Sequence, residues 1–166
     1  MVLKSFFYAF LLLGCAEVER DNPQDPNNVD GKMYSTSVIN GRRWMRENLN
    51  HDVDGSMCYD NIASNCTIYG RLYNWSAAKD VCPGGWRLPT KEELSAQPYS
   101  FFSNQMGGGY FGGSGFGNTS GRYCYLWHSG GGMILAMSRY GTMSDGGGSN
   151  SDYFSVRCVK DSKEAL

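Results

Sequence analysis

The chain predicts an α+β fold: two short helices against a small, twisted, mostly antiparallel sheet, with long glycine-rich loops. Three observations carry this expectation. Asn40-Gly41 between two apolar pairs marks a hairpin, because a type I′ turn needs positive φ at both central residues. Thr90 followed by Glu93 is a capping box that starts a helix. The chain has 22 glycines, and 15 lie between Gly107 and Gly148, so the second half cannot be mainly helical. At 166 residues one domain with a real core is expected.

The N-terminus is read first. Lys4 precedes a short apolar run, Ser5–Leu13, well below the ~20 residues that span a bilayer. Leu12-Leu13-Gly14-Cys15 resembles a bacterial lipobox, which implies removal of residues 1–14 and acylation of Cys15. The alternative is an ordinary secretory signal with an incidental cysteine. Each buried CH₂ of an acyl chain contributes about 0.8 kcal/mol, so two or more chains hold firmly to a membrane. Ala16 after the cysteine favours the outer membrane, by resemblance to bacterial lipoproteins. A surface-exposed, lipid-anchored envelope protein is therefore expected. Residues 15–33 are charged and rich in Pro and Asn and read as a flexible tether. The folded domain is expected over residues 34–160, with a short tail over 161–166.

The folded part then runs in order. Val38-Ile39 and Trp44-Met45 flank the Asn40-Gly41 turn. Residues 51–67 are polar and read as a loop closed by a Cys58–Cys66 disulfide, which contributes roughly 2.5 kcal/mol. A metal would need further ligands, and only His51 is near, so no metal and no cofactor are expected. Leu72, Trp75 and Ala78 fall at i, i+3 and i+6, which predicts a helix over 69–80. Cys82-Pro83-Gly84-Gly85-Trp86 is a cysteine followed by a sharp turn, with Trp86 and Leu88 read as core. The second helix runs from Thr90 to about Ala96. Residues 107–117 show no period, although Tyr110, Phe111 and Phe116 are too aromatic for a simple linker. Residues 122–128 are a strand, with Tyr123, Tyr125 and Trp127 on one side and Cys124 and Leu126 on the other. Residues 133–140 form another strand, 145–151 a loop, and 152–159 a final strand.

With Cys15 acylated, five cysteines remain. Cys82–Cys158 would close a long loop, worth roughly 4.5 kcal/mol by chain entropy. Cys124 is then left over, as a buried thiol or an intermolecular bridge. Other pairings exist, and spacing does not choose among them.

Several motifs occur in order: Arg43–Asn50, Cys58-Tyr59-Asp60-Asn61, Tyr69–Trp75, Val81–Thr90 and Phe154–Lys160. Together they resemble the Fibrobacter succinogenes major paralogous domain over about residues 36–160. The resemblance implies a fold related to the C-type-lectin-like and formylglycine-generating-enzyme-like folds. It implies surface lipoproteins or secreted modules with no established catalysis. Two features depart from the family pattern. The segment after Glu93 is short, and Cys124–Ser129 replaces the usual Tyr-Trp-Ser-Ser-Thr. A calcium-dependent lectin of related fold would carry Glu-Pro-Asn or Gln-Pro-Asp, whereas Gln97-Pro98 here precedes Tyr99. A formylglycine-generating enzyme would need a pair of copper-binding cysteines, and Cys124 stands alone.

The formal charge of −1 gives no basic footprint for nucleic acid. The expected function is a non-catalytic binding module for a glycan or surface protein. Its candidate contact residues are Tyr110, Tyr123, Tyr125, Trp127, His128, Arg139 and Tyr140, because Tyr and Trp give large contact area at low entropic cost. Trp127 is the one expected to be most buried. Compositional bias over 107–153 also fits a diversified receptor. An enzyme would have to use His51 or His128 with Asp145 or Asp152, and no nucleophile motif accompanies them. A structural envelope role, with Cys124 bridging chains, is the remaining reading.

Overall fold

The computed structural model describes residues 28–29, 31–103, 105–117, 121–130, 133–138 and 143–161. The signal, Cys15, most of the tether, Arg139 and Tyr140 lie outside the described residues. The described chain is a small α+β fold. A two-stranded hairpin, β1 (Asn28–Val29) with β2 (Lys32–Met33), precedes the expected start at Tyr34, and Val29 is buried in the main core. Asn28 Oδ1 accepts from the Gly31 amide and fixes that turn.

The Asn40-Gly41 hairpin forms as its sequence requires. β3 (Thr36–Ile39) pairs with β4 (Arg42–Met45), and Asn40 and Gly41 have φ of 51° and 71°. The capping box also forms. Thr90 Oγ1 accepts from the Glu93 amide (3.2 Å), and Glu93 Oε2 accepts from the Thr90 amide (2.7 Å). The helix it starts, Lys91–Ser95, is the third α-helix among the described residues. Both expected disulfides are present, Cys58–Cys66 and Cys82–Cys158, and Cys124 is a buried free thiol. Trp86 and Leu88 are core residues.

Four segments differ from the sequence expectation. The helix expected over 69–80 is split. Helix α1 (Ala63–Tyr69) begins inside the loop closed by Cys58–Cys66, runs past Cys66 and stops at Gly70. Gly70 has φ of 78°, and a Cβ there would lie 2.8 Å from Asn48 Cβ and 2.9 Å from the Asn48 carbonyl. The chain then turns extended, because β6 (Leu72–Tyr73) is clamped between β5 (Ser56–Met57) and β12 (Phe154–Ser155). Only α2 (Trp75–Ala78), capped by Asn74 Oδ1, keeps the helical reading, and Lys91–Ser95 becomes α3. Residues 107–117 are not patternless: β7 (Tyr110–Phe111) and β8 (Gly115–Phe116) make a hairpin. Asp145–Gly147, expected in a loop, complete β11 (Met143–Gly147), the partner of β10 (Met133–Ser138). The single final strand is two, β12 and β13 (Val159–Asp161), which enter different sheets.

With β9 (Tyr123–Trp127), the larger sheet runs β11-β10-β9-β12-β6-β5 and the smaller β13-β4-β3. All pairings are antiparallel except β12 with β9. The last described strand therefore returns to the early hairpin, since β13 pairs with β4 and bridges Arg87 through Val159.

A buried polar centre joins the halves. Arg157 is fully buried, and its Nε and Nη2 donate to Asn48 Oδ1 at 3.0 and 2.7 Å. Its Nη1 donates to the Phe101 carbonyl at 2.6 Å, and the Phe101 and Phe102 rings flank it. Asn48 Nδ2 donates to the Tyr69 and Gln105 carbonyls at 2.9 and 3.0 Å. Burial pushes the guanidinium down to about 10, because its hydrogen-bond partners are neutral.

Candidate functional site

Strand alternation builds the site. In β9, Cys124 and Leu126 turn into the second core, while Tyr123 and Tyr125 stay half-buried on the other face. Tyr123 and Tyr125 are inclined by only 33° with ring centroids 6.2 Å apart. Phe111 of β7 meets Tyr125 edge-on at 5.3 Å, and Tyr110 meets Tyr153 at 5.7 Å and Phe116 at 4.9 Å. Two ring groups result, one of Phe111, Tyr123 and Tyr125 with Phe154, and one of Tyr110, Phe116 and Tyr153, because the neighbours Tyr110 and Phe111 of β7 point to opposite faces. Burial raises the Tyr125 phenol, and the neighbouring Tyr123 adds to this.

Glycine makes the face by allowing close approach. A Cβ on Gly109 would lie 2.9 Å from Phe154 Cδ1 and 3.2 Å from Tyr125 Cδ2. The backbone of the glycine-rich stretch can therefore lie against the aromatic strands. It is pinned there by backbone bridges from Gly108 to Cys124 and from Tyr110 to Tyr153. The buried Asp152 carboxylate accepts from the Gly112 amide (2.9 Å) and the Ser149 amide (2.6 Å), holding two loops together. The Tyr59 hydroxyl donates to the Gly117 carbonyl, which ties the hairpin to the Cys58–Cys66 segment.

The expected contact residues divide accordingly. Tyr123 and Tyr125 are brought together on β9, whereas Tyr110 lies in the other ring group with Phe116 and Tyr153. Trp127 and His128 are not available to a ligand. Trp127 has no exposed surface, packs on Trp75 and Phe154 at 5.4 and 4.9 Å, and donates from Nε1 to the Tyr73 carbonyl at 2.7 Å. His128 is buried under the following turn, where Nδ1 accepts from the Gly130 amide at 3.0 Å. Phe111 joins Tyr125, and Phe116 and Tyr153 join Tyr110, although their sequence positions did not single them out as contacts. Their signal was the presence of large rings among glycines.

Two clefts lie elsewhere. One, of about 600 Å³, is lined by Val29, His51, Asp54, Asp80 and Pro83 among others. The second, of about 530 Å³, lies between α2 and the Cys82–Thr90 segment, with Trp75, Trp86 and Arg87 in its walls. Among the described residues no group of three or more His, Cys, Asp or Glu side chains is placed to hold a metal. Asp152, the acid considered for catalysis, is committed to backbone amides.

Fold and site thus define a small disulfide-tied α+β domain that presents an aromatic face. Residues 37–98 match the family model of the Fibrobacter succinogenes major domain, and this part of the chain belongs to that family. The match covers the β3–β4 hairpin from Ser37 on, α1, α2, the Cys82 turn and the capped α3, and it ends before the glycine-rich half. No curated protein and no solved structure matches the chain.

Proposed function

We propose that the chain is a non-catalytic binding module, anchored to the bacterial outer membrane through lipid on Cys15 and displayed at the cell surface. Its ligand is a glycan. The single observation that carries this reading is the aromatic face of β9, in which half-buried Tyr123 and Tyr125 are held in fixed orientations by contact with each other and with Phe111. Flat rings with a polar edge stack on sugar faces at small entropic cost, and adjacent rings on one strand meet successive units of an extended chain. The apolar run before Cys15 and the Pro- and Asn-rich stretch after it support an anchor and a tether. Among the described residues no helix is long and apolar enough to cross a membrane. We read the fold as a C-type-lectin-like variant, on the pairing of the last strand with an early hairpin and the disulfide that reaches it.

The test is a glycan and surface-protein binding screen on the full chain, with Tyr123→Ala and Tyr125→Ala beside it. Stacking contributes about 1 kcal/mol per ring or more, so each variant is expected to weaken binding by about five-fold or more. Unchanged binding in both variants overturns the site. Turnover of a bound glycan overturns the non-catalytic assignment.

A further inference from the structure

The cleft between α2 and the Cys82–Thr90 segment has walls that are fixed before any ligand arrives. Asn74 Oδ1 caps α2 by accepting from the Ala77 amide at 2.9 Å. Cys82 is tied to Cys158, and the Pro83 carbonyl accepts from the Trp86 amide at 2.8 Å. The Ser129 amide donates to the Pro89 carbonyl at 2.9 Å, which sets the turn after β9 against the cleft. Trp75 is half-buried in the wall and packs on Trp127 at 5.4 Å. A cleft held in this way loses little freedom when a ligand enters. Its volume, about 530 Å³, is in the range of small-molecule sites, roughly 300–1,000 Å³.

The charged side chains of the wall are of two kinds. Arg87 is committed, because Nη1 and Nη2 each donate to the Glu93 carboxylate at 2.8 Å. Lys79 and Asp80 are open to solvent. Their side chains are 53% and 80% exposed, and Nζ and Oδ2 stand 3.7 Å apart, beyond hydrogen-bond length. The cleft thus offers an exposed donor beside an exposed acceptor, next to the indole of Trp75. A hydroxyl both donates and accepts, so two adjacent hydroxyls answer both groups. The two charges cancel, which favours a neutral ligand over an ion of either sign. The indole suits the C–H face of a sugar ring, and Ser129, also exposed, adds a hydroxyl. We infer that this cleft binds a neutral hexopyranose unit. No tyrosine of β9 lines it, so the inference does not rest on the reading of that face. Its walls, Ser129 apart, fall within the matched residues 37–98.

The experiment follows the Trp75 indole N–H by NMR in the full chain, held in detergent micelles and labelled at the indole nitrogens. Glucose, mannose and galactose are added in turn. Trp75→Phe assigns the resonance. Should that variant fail to fold, the resonance is assigned by the shift that Lys79→Met causes one turn along. At least one of the three hexoses is expected to move it saturably. Glucitol, which carries the hydroxyls of glucose without the ring, is expected to leave it in place. Lys79→Met and Asp80→Asn change exposed positions, and each is expected to weaken binding about ten-fold, the loss of a hydrogen bond to a charged group. Tyr125→Ala is expected to leave the response unchanged. A resonance that moves with none of the hexoses overturns the proposal, and so does an equal response to glucitol. Tighter binding of glucuronate than of glucose overturns the neutral assignment. Binding that survives Lys79→Met, which lines this cleft and not the neighbouring one, or that is lost with Tyr125, puts the sugar elsewhere and overturns the site.

Discussion

Replacing Asn48 by alanine tests whether the buried polar centre holds the two halves together. The side chain accepts two hydrogen bonds from the Arg157 guanidinium and donates two to backbone carbonyls, all out of contact with solvent. Asn48→Ala strips a buried cation of its only side-chain acceptor among the described residues and leaves two carbonyls without these donors. Arg157 keeps the Phe101 carbonyl and two flanking rings, so the loss is partial. Hydrogen bonds to a charged group contribute about 1.5–3 kcal/mol each, and with two of them lost a cost of about 3–5 kcal/mol is expected here. That is a third or more of the stability of an ordinary domain. Urea unfolding with the disulfides intact would show a midpoint lowered by about 2 M for an m-value near 2 kcal/mol/M. In Arg157→Met the charge is gone, so adding Asn48→Ala should cost about 2 kcal/mol less than it does alone. A cost under about 1 kcal/mol for Asn48→Ala, or strict additivity of the two changes, would refute the argument.

Other outcomes follow from the same structure. The Glu93 carboxyl is held at about 2 by the Arg87 guanidinium, with further help from the Thr90 amide and from Arg42. Its folded value lies below the unfolded 4.5, so its contribution is present above pH 4.5 and is lost as pH falls towards 2. Because Arg87 is 40% exposed, about 1–2 kcal/mol is expected, and acid unfolding of Glu93→Gln should show a correspondingly flatter curve. Removing Cys82–Cys158 as a serine pair should lower the melting temperature more than removing Cys58–Cys66, because the closed loops differ in separation, 76 against 8 residues. Equal losses would count against that ordering. Burial pushes the Cys124 thiol up to about 11, so an alkylating reagent at pH 8 should label it only after denaturant is added. Rapid native labelling, or a disulfide dimer through Cys124, would contradict its placement.

What could be read in the sequence was local chemistry. Asn40-Gly41 and the Thr90–Glu93 box each act within a few residues, so the hairpin and α3 were legible from composition alone. The 69–80 segment was misread because Leu72, Trp75 and Ala78 imitate a helical stripe. Leu72 is instead paired to Met57 and Ser155, and the break at Gly70 is imposed by Asn48 crossing beside it. Both causes are distant along the chain. The glycine-rich hairpin was hidden for the same reason, since Tyr110 finds its register on Tyr153. At the site, alternation in β9 revealed the two tyrosines. It could not show that Trp75 and Phe154 cover Trp127, which shares their side of the strand.

The Cys82–Cys158 link has a mechanical meaning. A protein pulled between an anchor and a ligand lengthens only by the chain it can release. The link withholds the 76-residue separation between the two cysteines, about 250 Å of contour at ~3.3 Å per residue. A ligand on the aromatic strands pulls from inside that closed loop, so the load leaves through two arms, one ending at Cys82 and the other at Cys158, which meet at sulfur. The Cys158 carbonyl accepts the Met45 amide, so the second arm leads straight into the early hairpin. Force is shared between the arms, and neither can lengthen further than the shorter one allows.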